Sequence, residues 1–549
     1  MMSDSMDPDC LAPDRLPHVS RLYSVYLTNP EKLADYYAHL PDWKGIRAAG
    51  REVSAGRASF PPEMRAAIAR VLREQNARFA GGALGKEVER NLARLESGAA
   101  AIVTGQQVGL LGGPAYTSYK ALSTLQVAAE ITKHGMEAVP IFWMAGEDHD
   151  LAEVNHVYWQ TAGALQRLEW AGDPQIEGRS VGTIPLGAAT ESLVRMAADG
   201  LSGAFAADLA AELKDAYSAK ETFASAFARL MAALFAKRGL ILLDPQDARL
   251  HQLAIPLLQR AAQQQEETTA AMLAQSKKLE KAGYHVQVKV TERSTFLFRN
   301  LDGRRVALKR INSGFAAATE HFSARELAEA IATSPESFSP NALLRPVMQD
   351  FLLPTAAYIG GPAEIAYFAQ NSVLYKCLLG RMPAILPRAS FTLVEPEVAR
   401  LLQRYELAPA DVFGGRQYLR ARMEARHVPR GLAAKFDSEI KKLKRVLSSF
   451  DKPLNKLDPT LKEALETVSR KMLYQMEKLR MQAGRAADFR AGVLARHEKA
   501  IVDALYPEHG LQERSLSLLP FLARHGEELL DGLEKKSGLN LCAHQIVRL

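Results

Sequence analysis

The chain has 549 residues, 47% hydrophobic and 24% charged, which excludes a disordered or fibrous protein and predicts two or three domains rather than a single core. Its net charge of +7, from 69 basic against 62 acidic residues, is too thinly spread for a dedicated nucleic-acid binder and fits small anionic partners better. Cys10, Cys377 and Cys542 are too scattered for a disulfide framework or a zinc site and read as incidental thiols.

From Pro30 to Ser97 apolar residues recur at helical spacing (Leu33, Tyr36 and Tyr37, then Met64, Ile68 and Leu72), which predicts a helical flank. Strand signals follow at Ala99 to Val103, Val139 to Ala145, Gly239 to Leu243 and Tyr284 to Val290, separated by helix-compatible stretches such as Tyr116 to His134 and Thr222 to Lys237. That alternation predicts an α/β fold with a largely parallel sheet. Val286 to Phe298 with Arg305 to Leu308 reads as an antiparallel addition. Pro354 to Glu364 reads as a small-residue turn bounded by apolar runs, followed by a helix over Ala363 to Leu379 and a last core strand at Ala384 to Pro387.

Composition changes near Pro396, which divides the chain into a core over 1–395, a helical insertion over 396–506 and a return to the core over 507–549. Within the insertion, Phe436, Ile440, Leu443, Leu447 and Phe450, then Leu461, Leu465, Val468, Met472, Gln475 and Leu479, alternate spacings of four and three. This is the seam of a coiled coil, and the break from Asp451 to Pro459 lets the two helices fold back on each other. Asp458 reads as a helix N-cap, with Pro459 at the first helical position. Two amphipathic helices packed on the core are the alternative reading.

Two segments carry the chemistry. In Thr104-Gly105-Gln106-Gln107, running on to Gly113 and Tyr116, close-set glycines at a strand end let backbone N–H groups approach a phosphate or carboxylate. Thr117 and Lys120 follow on the next helix, within reach of the same anion. No Gly-Lys-Ser/Thr follows the glycines, so this is not a P-loop, and a strand-to-helix connection without a ligand is the alternative.

The second segment, Glu147-Asp148-His149-Asp150, sets three carboxylates and an imidazole in four residues at a strand end, at a cost in charge repulsion that suggests use. Asp148 and Asp150 suit Mg²⁺ or a substrate ammonium, and His149 suits a general base; a solvated acidic loop is the alternative. Because a parallel βαβ unit gathers ligands at the carboxyl ends of its strands, both segments are expected to face one crevice. Arg345, Gln349, Tyr358, Gly361 and Glu364, around the later turn, are candidates for substrate binding together with Tyr116. Lys309 and Arg310 read as a solvated pair with some reach toward phosphate, and His156 as a satisfied histidine.

Thr104 to Leu110, Gly113 to Thr117 with Lys120, Phe142-Trp143, Glu147 to Asp150, Arg345-Pro346 and Gly360 to Glu364 together resemble the bacillithiol biosynthesis cysteine-adding enzymes, over nearly the whole chain. The resemblance implies a Rossmann-like core, an antiparallel coiled coil, a homodimer through that coil, and an adenine-nucleotide site for ATP or ADP. It also implies the reaction: a ligase forming a carbon–nitrogen bond, joining cysteine to the amine of glucosaminyl malate. Thr104, Gly105, Gln106, Gln107, Gly113 and Lys120 would hold phosphate or carboxylate, with Glu147, Asp148, His149 and Asp150 catalytic and Asp148 and Asp150 placed for Mg²⁺. A nucleotide-binding scaffold or regulator with a coiled-coil arm is the alternative. No apolar run approaches the roughly 20 residues of a bilayer span, and Met1 to Pro17 lacks the pattern of a signal peptide, so the expected location is the cytoplasm, away from membranes.

Overall fold

The computed structural model describes residues 9–549, apart from 56–59, 162–163, 173–175, 313, 427, 429, 459, 489–491 and 540–542. Pro459 and Cys542 therefore lie outside the described residues. The chain forms two compact units, one of residues 12–390 with 513–545, the other of 1–11, 391–512 and 546–549. Among the described residues no helix is long and apolar enough to cross a membrane.

The larger unit is built on five parallel strands: β1 (Ala100–Gln106), β2 (Ala138–Met144), β3 (Ile241–Leu243), β4 (Thr355–Gly360) and β5 (Ala384–Pro387). Their order across the sheet is β5-β4-β1-β2-β3. Every pairing is parallel, with Val103 opposite Ile141 on one side of β1 and Tyr358 opposite Val103 on the other. Both faces of the sheet are covered, so β2 and β4 are buried at every residue and read as continuous apolar runs rather than alternating ones. The order reverses between β1 and β4, and their carboxyl ends diverge there to leave a crevice.

The helix α1 (Tyr116–Lys133) joins β1 to β2 and buries Tyr119, Leu122, Leu125 and Ile131 against the sheet, with the left-handed Gly135 just beyond its C-terminus. On the approach to β4 and from β4 to β5 lie α2 (Leu344–Leu352) and α3 (Pro362–Leu378). Proline at the first position of α3 and Glu364 folded back onto the Gly361 N–H at 2.7 Å start that helix.

Between β3 and β4 a five-stranded antiparallel sheet is inserted, its first hairpin pairing Ser294–Leu301 with Arg304–Ile311. The two-residue turn is Asp302-Gly303, both with positive φ (51° and 79°), as a type I′ turn requires. The expected strand at Tyr284 to Val290 does not form. There the Gln370 side chain takes both backbone groups of Val288, at 3.2 and 2.7 Å, in place of a neighbouring strand. The segment read as a turn around Thr355 to Gly360 is instead β4, in the interior of the sheet, where its small residues pack beneath covering helices.

The smaller unit is helical, with α4 (Arg430–Ser449) and α5 (Leu461–Asp488) packed on each other and a short helix, Asp451–Leu457, where the sequence reads as a break. Arg480 of α5 meets Asp437 of α4 at 2.7 Å and the Ala425 carbonyl oxygen at 2.8 Å. On α4 the predicted seam residues Phe436 and Leu447 are buried. On α5 the expected face holds at Leu461 and Leu465 and is then lost: Leu473, Met476 and Arg480 turn inward, whereas Val468, Met472 and Leu479 are exposed. Four-and-three spacing fits more than one face of a long helix, and packing chose the other. Cys377 is a free thiol, while Cys10 is disulfide-bonded rather than incidental.

Candidate functional site

A cavity of about 580 Å³ opens at the carboxyl edge of the parallel sheet, within the larger unit. That volume falls in the range of roughly 300–1,000 Å³ usual for small-molecule sites. Gly105, Gln106, Gln107, Tyr116 and Lys120 from the first segment line it, as do Glu147, Asp148 and His149 from the second. Arg345, Gly361 and Glu364 complete the predicted set on its wall.

Lys120 forms the floor. Its ammonium donates to the Gly105 carbonyl oxygen at 2.7 Å and Gln106 Oε1 at 2.9 Å, and it pairs with Glu364. Burial pulls the Lys120 amine below its ordinary value, partly offset by Glu364. Burial also works against the Glu364 carboxylate, but Lys120, the Tyr358 hydroxyl donating at 2.5 Å and the Gly361 N–H outweigh it and hold the acid below its ordinary range.

Arg345 reaches the same region from α2, donating to Gln349 at 3.0 Å and lying 3.3 and 3.4 Å from the Tyr367 and Tyr358 hydroxyls. It makes no ion pair with a carboxylate among the described residues. A guanidinium lodged among neutral partners is a place where an anionic ligand supplies the missing charge. Gly105 leaves room for it: a Cβ there would stand 3.3 Å from both Arg345 Nη1 and the Tyr358 hydroxyl.

On the β2 side, Glu147 is nearly buried and pairs with His251 at 3.1 Å. Burial lowers the affinity of His251 for a proton, yet the Glu147 carboxylate outweighs it and raises the imidazole above its usual value. Asp148 accepts from Gln107 at 2.8 Å and from the His149 N–H at 2.7 Å. His149 is about two-fifths exposed, with Nδ1 3.6 Å from Asp148 and 3.4 Å from the Arg305 guanidinium. Arg305 stacks on Phe298 at 4.0 Å and donates to Ser339 and the Pro340 carbonyl oxygen. Burial pulls its guanidinium below the ordinary value, countered in part by Glu147 and Asp148.

Five predicted site residues are not on the cavity wall. Thr104 is buried, its hydroxyl donating to the Ile359 carbonyl oxygen at 2.8 Å, and it ties β1 to β4. Gly113 has φ +71° and belongs to the tight turn ahead of α1, packed on Gly109. Asp150 caps the Leu151–Val154 helix through the Glu153 N–H at 3.3 Å. Among the described residues no group of three or more His, Cys, Asp and Glu stands ready to hold a metal. Gln349 and Tyr358 are fully buried and act through Arg345 and Glu364.

The cavity also recruits residues that sequence reading passed over: Glu153, Phe298, Arg305, Asn341, Tyr367, Arg388 and Arg514. Asp302-Gly303 between two alternating runs was a legible hairpin signal; which face of the hairpin turned toward the crevice was not. Arg310, considered for phosphate, pairs with Glu266 instead.

Residues 6–389 match the model described as "Bacillithiol biosynthesis BshC, N-terminal Rossmann-like domain", and residues 391–549 match "Bacillithiol biosynthesis BshC, C-terminal coiled-coil domain". Relatives named "Putative cysteine ligase BshC" include one from Koribacter versatilis, 40% identical over 99% of this chain and 100% of the relative. Others are from Solibacter usitatus, 37% identical over 98% and 99%, and Bacillus cytotoxicus, 29% identical over 82% and 84%. A Rossmann-like N-terminal domain followed by a C-terminal coiled-coil domain is what these matches describe, and the chain belongs to the BshC family of bacillithiol biosynthesis.

Proposed function

We propose that this protein is a cytoplasmic cysteine ligase that joins the cysteine carboxyl group to the amine of glucosaminyl malate, with ATP activating the carboxyl. One observation carries the reading: the Gly105–Lys120–Glu364 group and the Glu147–Asp148–His149 group face one cavity from neighbouring parallel strands. An amide forms in water only when the carboxyl is activated and the amine is deprotonated as it attacks, so the site must hold an anion and accept a proton.

Arg345, which makes no ion pair among the described residues, receives a carboxylate or phosphate. His149, accessible beside Asp148, takes the proton from the attacking amine. Gly105, Gln106, Gln107 and Tyr116 shape the wall and orient the reactants, which together with exclusion of water supplies much of the rate. ATP would supply the activation, and Asp148 and Asp150 are the residues that would hold its Mg²⁺.

The homodimer belongs to the same proposal. Val468, Met472 and Leu479 leave an apolar stripe along one face of α5, suited to the same stripe on a second copy. Mass spectrometry of purified protein with cysteine and glucosaminyl malate tests the reaction. Amide appearing in step with AMP or ADP is expected, and amide forming equally well without ATP would remove the nucleotide from it.

A further inference from the structure

Charge is unevenly matched around the cavity. Its carboxylates Glu147, Asp148 and Glu153 follow β2, whereas Arg388 and Arg514 stand beside β5 and the start of α3, where the one lining carboxylate, Glu364, is already paired with Lys120. Arg388 is buried, held by a bidentate pair with Glu513 at 2.6 and 2.9 Å, and its guanidinium lies over the Tyr116 ring at 5.4 Å. Its Nε–H has no hydrogen-bond partner among the described residues. That group sits 3.5 Å from where a Cβ would stand on Gly361, whose own N–H is taken by Glu364 at 2.7 Å.

Arg514 adjoins Glu513, which Arg388 fixes; it is exposed, lines the cavity and forms no ion pair among the described residues. One guanidinium therefore serves as a locked wall and its neighbour as an uncommitted donor. A neutral or cationic ligand end has no use for that arrangement, and a carboxylate fits it bidentately.

We propose that the Arg388–Arg514 end binds the carboxylate-bearing end of the acceptor substrate, directing its amine across the cavity toward Asp148 and His149. This rests on the ligase reading for the identity of the acceptor, while the anion subsite stands on the geometry. Arg514 is the specificity-determining residue, because Arg388 is engaged with Glu513 and serves to place it. The subsite selects a dicarboxylate such as malate over a single neutral sugar.

Titration calorimetry of the full-length protein with L-malate, and separately with inorganic phosphate, tests the subsite directly. Malate is expected to bind at least tenfold more weakly to Arg514→Gln, with partial recovery in Arg514→Lys. Absence of malate binding to the wild type at millimolar concentration, indifference to Arg514→Gln, or phosphate binding more tightly than malate would each overturn the proposal.

In turnover, Arg514→Gln should raise KM for glucosaminyl malate at least tenfold more than KM for methyl glucosaminide, with the KM for cysteine little affected. An equal rise for both acceptors would count against it. Malate binding that depends on Arg514 in a protein forming no amide would sink the ligase reading and leave this subsite standing.

Discussion

Lys120 on α1 and Glu364 on α3 form a buried ion pair that joins the helices following β1 and β4, the two strands between which the sheet reverses. The contact does two jobs. It closes the floor of the crevice, and it fixes Gly105, Gln106 and the start of α3 relative to one another.

Removing one partner of such a pair strands the other charge. Lys120→Met or Glu364→Gln is expected to lower stability by about 3–5 kcal/mol, read as a shift in the urea midpoint. The double variant should recover much of that loss, since neither charge is then left alone, but not the activity. Single variants as stable as the wild type would show that the pair is not a structural tie.

His149 is different, because it is accessible and few contacts depend on it. His149→Ala should abolish amide formation with the thermal midpoint nearly unchanged. Full turnover in this variant would take the imidazole out of the reaction.

Arg305→Gln tests a residue found only from the structure. The guanidinium packs on Phe298 and faces both Asp148 and His149 at 3.8 and 3.4 Å. Its loss should reduce kcat at least tenfold by releasing those two groups, a change visible in steady-state kinetics. An unaltered kcat would assign Arg305 to scaffolding alone.

The chain end brings its own pH dependence. Burial holds His544, against Ser390 at 2.7 Å, down to about 4, so the native state keeps it neutral while the unfolded chain protonates it near 6.5. The unfolded state then binds more protons between those values. This contribution is present above pH 6.5 and is lost as pH falls toward 4, on the order of 3 kcal/mol over the interval. Denaturation of wild type and His544→Gln at pH 7 and 4.5 should show the smaller loss in the variant; equal losses would exclude His544 as the cause.

If α5 carries a dimer contact, Val468→Glu with Met472→Glu should yield a monomer by light scattering with helix content retained. These side chains are exposed in the single chain, so the charges add little cost there.

The sequence by itself determined the parallel α/β core, the place of α1 between two buried strands, and the meeting of the Gly105 and Glu147–His149 segments. Those follow from local rules: continuous apolar runs for strands covered on both faces, and ligand chemistry gathered at their carboxyl ends. Only tertiary structure decided which side chains on those segments reach the cavity. Thr104 and Gly113 have the composition of a ligand loop but serve a strand tie and a turn, because neighbouring backbone claimed them first. Arg305, Arg388 and Arg514 come from a hairpin, a strand end and the returning chain, separated by as many as 209 positions between Arg305 and Arg514. No spacing rule links groups that far apart; the sheet and the helices packed on it brought them to one wall.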